Sequence, residues 1–224
     1  MTAFQTERTA VLVIDLQKDN FTDGAWPVAG YEQLLTSARD ALTAVRGAGL
    51  PVIYTRHWLA ETGADAQRHE PRDARGAPLH SVAGTRGAEI CDEVAPAERD
   101  VVIDKTRFSA LYATRLETVL TQMAIEHLIV LGVWSEACVQ STVYDAVWRD
   151  YRVTLVKDAC GAATDAVHKT AMLNMANWLY GGGVVTAREL AKALAGEPYA
   201  GWRFTVPNEF PFTLDSVEAM YERL

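Results

Sequence analysis

The chain reads as an α/β fold in three layers, with helices on both faces of a six-stranded, parallel, doubly wound sheet. Three observations predict it. Near-continuous apolar runs of strand length recur along the sequence, the mark of strands buried on both faces. Between them lie stretches whose apolar residues fall at helical spacing. The two kinds alternate six times, with short connections apart from one loop, so the strands run parallel and the helices cover both sides. With 224 residues, 49% of them hydrophobic, the chain can bury a sizeable core as one domain over residues 1–224.

The first run, residues 10–15, is apolar up to a closing carboxylate, Asp15. An aromatic-bearing loop with Phe21 and Trp26 follows. The helix over residues 31–49 carries Leu34, Leu35, Ala38, Ala41, Leu42 and Val45 and stops at Gly47 and Gly49. A second strand, 51–55, leaves Arg56, His57 and Trp58 beyond its tip. Residues 60–84 are polar, rich in Gly, Pro, Asp, Arg and His and without periodicity, as in a long functional loop. The third strand, 100–103, is followed by Lys105, Arg107 and Phe108. A helix over 112–124, a strand over 128–132, a helix over 137–150, a strand over 152–156, a helix over 164–180 and a strand over 183–186 complete the alternation.

A net charge of −8 lacks the basic excess that a nucleic-acid partner requires. No apolar run is long enough for a membrane span and residues 1–8 lack a signal-peptide core, so a soluble, cytoplasmic protein is expected. Three cysteines, odd in number and without C-x-x-C spacing, exclude a disulfide framework and a thiolate metal site. His57, His69 and His80 lack the short Asp/His spacing that converges ligands on one ion, so no metal is expected.

Ligands of open α/β sheets bind outside the C-terminal strand tips. That singles out Asp15, Lys105 and Cys138. The spacing places Cys138 in the first turn of a helix, where free N–H groups and the helix dipole favour a thiolate and can hold an oxyanion. Cys91 and Cys160 read as packing residues.

These three positions, with Val13-Ile14-Asp15-Leu16-Gln17, the stretch Gly84 to Ile90, Lys105 to Leu111 and Gly132 to Thr142, resemble the catalytic triad and motifs of the isochorismatase-like cysteine hydrolase superfamily. The resemblance spans the chain to about residue 190. It implies a six-stranded parallel sheet and hydrolysis of a small carboxamide, carbamoyl or ureido C–N bond through a thioester, releasing ammonia or an amine without a cofactor. Cys138 would be the nucleophile, Asp15 the proton carrier and Lys105 its charge partner. The N–H groups of Trp134 and Cys138 would form the oxyanion hole, with a cis Val133–Trp134 peptide. Phe21, Trp26, His57, Trp58, Arg107, Phe108 and Trp134 are candidate substrate contacts. True isochorismatases of the superfamily lack the cysteine, and Cys138 points away from their chemistry.

Two features depart from the family pattern. Thr55-Arg56-His57-Trp58 stands where nicotinamidases of the superfamily carry an Asp-x-His metal motif. Trp134 and Ser135 replace a small residue or threonine and a threonine, which reshapes the pocket. The alternatives are a nicotinamidase-like enzyme with a metal site rearranged through His57 or His69, and a non-catalytic binding member of the fold.

The extension at 197–224 holds Tyr199, Trp202, Phe204, Phe210 and Phe212 among prolines, with neither helical nor strand periodicity before a last helix over 214–223. Left in water these rings would form an apolar patch. They must cover either their own domain or a neighbouring subunit, and a homo-oligomer, dimer or tetramer, is expected.

Overall fold

The computed structural model describes residues 5–224. Six parallel strands form the sheet: β1 (Thr9–Ile14), β2 (Val52–His57), β3 (Val101–Lys105), β4 (His127–Val133), β5 (Arg152–Gly161) and β6 (Gly183–Val185). A seventh strand, β7 (Trp202–Arg203), pairs antiparallel with β6 and closes that edge. The order is β3-β2-β1-β4-β5-β6-β7. The sheet thus exceeds the expected six strands by one, contributed by the extension, whose two paired residues are too few to show a period.

The helices are α1 (Tyr31–Gly47), α2 (Leu116–Gln122), α3 (Gln140–Val147), α4 (Asp165–Ala176), α5 (Ala187–Leu194) and α6 (Val217–Tyr221). Every residue of β1 is buried, as a central strand covered on both faces requires. Helix α1 packs on α5 and β5, while α4 packs on α3 and α6. The expected helix at 112–124 begins only at Leu116, because Thr114 Oγ1 donates to the Ala110 carbonyl at 2.5 Å and its oxygen accepts from the Leu116 N–H at 3.1 Å. No helix among the described residues is long and apolar enough to cross a membrane.

Chain order reverses between β1 and β4, which pair from Thr9 against His127 to Ile14 against Gly132. A crevice opens at such a switch point, outside the strand tips. The strands approach closely there: Gly132 has φ 131°, and a Cβ on it would collide with the backbone of Ile14. Only glycine meets both demands.

The extension packs on its own chain. Phe210 is fully buried, its N–H donating to Asn177 Oδ1 at 2.7 Å while Asn177 Nδ2 donates to its carbonyl at 3.0 Å. Trp202 meets Phe210 edge-on at 5.5 Å. Phe210 is sealed within its own chain, while Tyr199, Trp202, Phe204 and Phe212 pack on it only half-buried.

Candidate active site

Asp15, Lys105 and Cys138 converge at the switch point. Asp15 follows β1 with φ 52°, a left-handed turn that lifts the chain off the sheet. Thr55 Oγ1 donates to Asp15 Oδ1 at 2.9 Å, and Asn20 Nδ2 donates to the Asp15 carbonyl at 3.1 Å. Lys105 is the last residue of β3, in register with His57 of β2. Its strand lies two interstrand spacings, about 10 Å, from β1, a gap that the four-carbon stem of lysine spans. The ammonium sits 2.6 Å from Asp15 Oδ2 and donates to Cys138 Sγ at 3.3 Å and to the Arg107 carbonyl at 3.0 Å. Burial disfavours this charge, but the Asp15 carboxylate outweighs it with help from the Cys138 sulfur, and the lysine pKa is raised. Among the described residues, Asp15 Oδ2 has no other charged or backbone donor, and the Asp15 carboxylate faces the Cys138 thiol as its hydrogen-bond acceptor.

Cys138 lies in a five-residue π-helical turn, Ser135–Val139, between β4 and α3. The sequence places it in a first α-helical turn; the α-helix begins two residues later, at Gln140. Thr142 fastens the turn, donating from Oγ1 to the Cys138 carbonyl at 2.6 Å and accepting from the Ala110 N–H at 2.9 Å. The folded setting adds influences that the helix terminus alone does not: burial pushes the thiol up to about 12, Lys105 pulls it down and Asp15 pushes it up again, so the net direction is upward. Activation therefore needs a proton acceptor rather than a low intrinsic pKa. The Val133–Trp134 peptide is cis, and the Trp134 carbonyl accepts from the N–H groups of Ala137 and Val139, each at 3.0 Å.

The family model for the isochorismatase domain matches residues 9–189. The chain belongs to the isochorismatase family. A relative of Arabidopsis thaliana, named a probable inactive nicotinamidase, is 35% identical over 175 residues, 75% of this chain and 88% of its own length. The ureidoacrylate amidohydrolase RutB of Yersinia enterocolitica is 28% identical over 196 residues, 77% of this chain and 84% of its own. The crystal structure of a cysteine hydrolase from Pseudomonas syringae pv. phaseolicola superposes with a TM-score of 0.78 at 26% identity, covering 88% of this chain and 96% of that one.

In this isochorismatase-family chain the crevice is a cavity of about 640 Å³. Of the residues expected to touch substrate, Trp26, His57, Arg107, Phe108 and Trp134 line it. Phe21 and Trp58 do not. The Phe21 ring stands edge-on against Tyr31 at 5.1 Å, and Trp58 carries the Arg56 guanidinium 3.7 Å over its ring. Both are loop residues whose direction the sequence leaves open. Trp134 forms one wall, its Nε1 donating to Asn20 Oδ1 at 3.0 Å and Trp26 meeting it edge-on at 6.0 Å.

Sequence reasoning missed Asn20 and Asp19, which line the cavity from the loop after β1 that also carries Phe21 and Trp26, their signal being only their place just past Asp15. Residues 67–71 line it too, from the long polar loop read above as functional. Gln17 of the Val13–Gln17 motif clamps the end of β2: its Oε1 accepts from the His57 N–H at 2.7 Å and its Nε2 donates to the His57 carbonyl at 2.9 Å. His57 is buried, its Nε2 without a partner among the described residues, and burial together with Lys105 lowers its pKa to about 3, so the ring is neutral. His80 bonds Glu70 at 3.1 Å and is likewise lowered by burial.

Donor atoms of Asp15, His57 and Cys138 lie within 4.8 Å of one another, a set that could face a metal ion. The Lys105 ammonium already contacts two of the three. A divalent cation would have to share that space with a fixed positive charge, so these residues do not fit a metal. Among the described residues, His69 joins no such group.

Proposed function

We propose that this chain is a cysteine hydrolase that cleaves the C–N bond of a small carboxamide, carbamoyl or ureido compound through a covalent thioester. The observation that carries the reading is the buried ammonium of Lys105, 2.6 Å from the Asp15 carboxylate and 3.3 Å from the Cys138 sulfur. A thiol facing a carboxylate as its hydrogen-bond acceptor is arranged for proton transfer during attack. Cys138 Sγ bonds the carbonyl carbon as its proton passes to Asp15 Oδ2. The oxygen becomes an oxyanion held by the N–H groups of Trp134 and Cys138, donors whose single loss costs about 2.7–4 kcal/mol of barrier in comparable sites. As the C–N bond breaks, Asp15 returns the proton to the leaving nitrogen. It then takes one from the water that opens the thioester and passes it to the departing Cys138 sulfur as the C–S bond breaks, restoring both groups, while Lys105 stabilises the carboxylate in each ionised stage.

The ureidoacrylate amidohydrolase relative supports the ureido class. So does the rim: Arg68 makes no ion pair among the described residues, and a free guanidinium there suits a substrate bearing a carboxylate. The relative named inactive leaves a non-catalytic role as the competing reading. Ammonia release measured across small amides and ureido acids decides between them. Cys138→Ala is expected to abolish turnover, while Cys91→Ala and Cys160→Ala, at thiols that burial pushes up to about 11 and about 12, retain most of it. Substantial turnover by Cys138→Ala would sink the mechanism.

A further inference from the structure

We infer that Tyr221, on the C-terminal extension, is a positioning residue for the nucleophile turn and acts on it through His168 and Ser135. The inference rests on the reading that Trp134 and Cys138 hold the oxyanion, because Ser135 directly follows the first and precedes the second by three residues in the same turn.

The direction of each hydrogen bond follows from what its neighbour can do. The Ser135 hydroxyl donates to the Gly161 carbonyl of β5 at 3.0 Å, which uses its one hydrogen. Its oxygen can therefore only accept from His168 Nδ1, 2.8 Å away. A neutral imidazole with hydrogen on Nδ1 has a bare Nε2, and the Tyr221 hydroxyl 3.0 Å from Nε2 must donate to it. Burial holds His168 near about 4 and keeps the Tyr221 phenol above its ordinary value, so both stay neutral at ordinary pH. The result is a chain of donors from Tyr221 to the backbone of β5, with the Lys157 carbonyl of that strand also beside the His168 ring as an acceptor. Ser135 is fully buried and neither it nor His168 lines the cavity, so the chain acts on the turn rather than on substrate.

Tyr221 is itself held firmly. Its ring faces the ammonium groups of Lys157 at 4.7 Å and Lys169 at 5.5 Å, and Lys169 pairs with Asp165 of α4 and Glu218 of α6. The family match ends at residue 189, so this support for the turn comes from outside it.

Tyr221→Phe keeps the ring and both cation contacts and removes only the hydroxyl. It is expected to lower kcat about fivefold with KM and Tm nearly unchanged, the size of one neutral hydrogen bond. It should also move His168 from the Nδ1–H toward the Nε2–H tautomer, read from imidazole nitrogen NMR shifts. Ser135→Ala should lower kcat at least as far, and Ser135→Thr, which keeps the hydroxyl, should restore most of the loss. An unshifted tautomer in Tyr221→Phe overturns the chain of donors whatever the activity, and a shifted tautomer with unchanged kcat overturns the positioning role. The NMR arm needs no turnover, so a failure of the cysteine mechanism would be seen separately, in Cys138→Ala.

Discussion

Lys105 shows how one residue sets the chemistry of two others. Its stem is fully buried, a position lysine tolerates only when its charge is matched, and Asp15 matches it. Lys105→Met would strand that carboxylate, at a cost of about 3–5 kcal/mol for a broken buried pair, and would raise the Cys138 thiol further. Asp15→Asn works in the opposite direction, because the aspartate pushes the thiol up. Iodoacetamide should alkylate Cys138 faster at neutral pH in Asp15→Asn than in the parent, even as turnover disappears; slower alkylation would refute the assigned proton path. All three residues could be read in the sequence because each closes or follows an apolar run. The protonation state of the thiol could not, since it sums burial and two charges that only the folded crevice brings together.

At the scale of elements, a tight constraint is the β1–β4 contact at Gly132. Gly132→Ala forces a methyl into the Ile14 backbone at a φ that alanine resists, and is expected to cost at least about 1–3 kcal/mol, as overpacking does. A urea midpoint that falls with unchanged slope would check it, and an unmoved midpoint would contradict the close approach. Element type was legible wherever an apolar period was long, as in α1, whose predicted core residues Leu34 to Val45 are all buried. Ends were less so. Strand β5 runs on through Lys157 to Gly161, because its pairing shifts past Val130 so that Cys160 meets Gly132, and such a bulge leaves no mark in hydropathy. Likewise β2 and β3 extend to His57 and Lys105, polar residues kept in the ladder by the register between them.

For the whole molecule, pH and the extension decide stability. His57, His127 and His168 are held by burial near about 3, about 4 and about 4. Each takes up a proton more readily when unfolded, so stability is full above the ordinary histidine range near 6.5 and falls as pH drops through it toward the folded values. Unfolding free energy should decline between about pH 6.5 and 4 with a slope of up to about 1.4 kcal/mol per pH unit for each such histidine; a flat profile there would contradict their burial. The extension adds a second dependence. Phe210 lies at its centre, under Trp202 and the Arg223 guanidinium and tied to Asn177 by two hydrogen bonds. Because this cluster closes within one chain, Phe210→Ala should destabilise the protomer by the about 3–5 kcal/mol of a deleted core aromatic, lowering Tm by about 2–4 °C per kcal/mol for a chain of this length. Mass by light scattering at native temperature should stay the same. If Phe210→Ala instead lowered the mass and left Tm in place, the extension would be joining subunits rather than sealing its own edge.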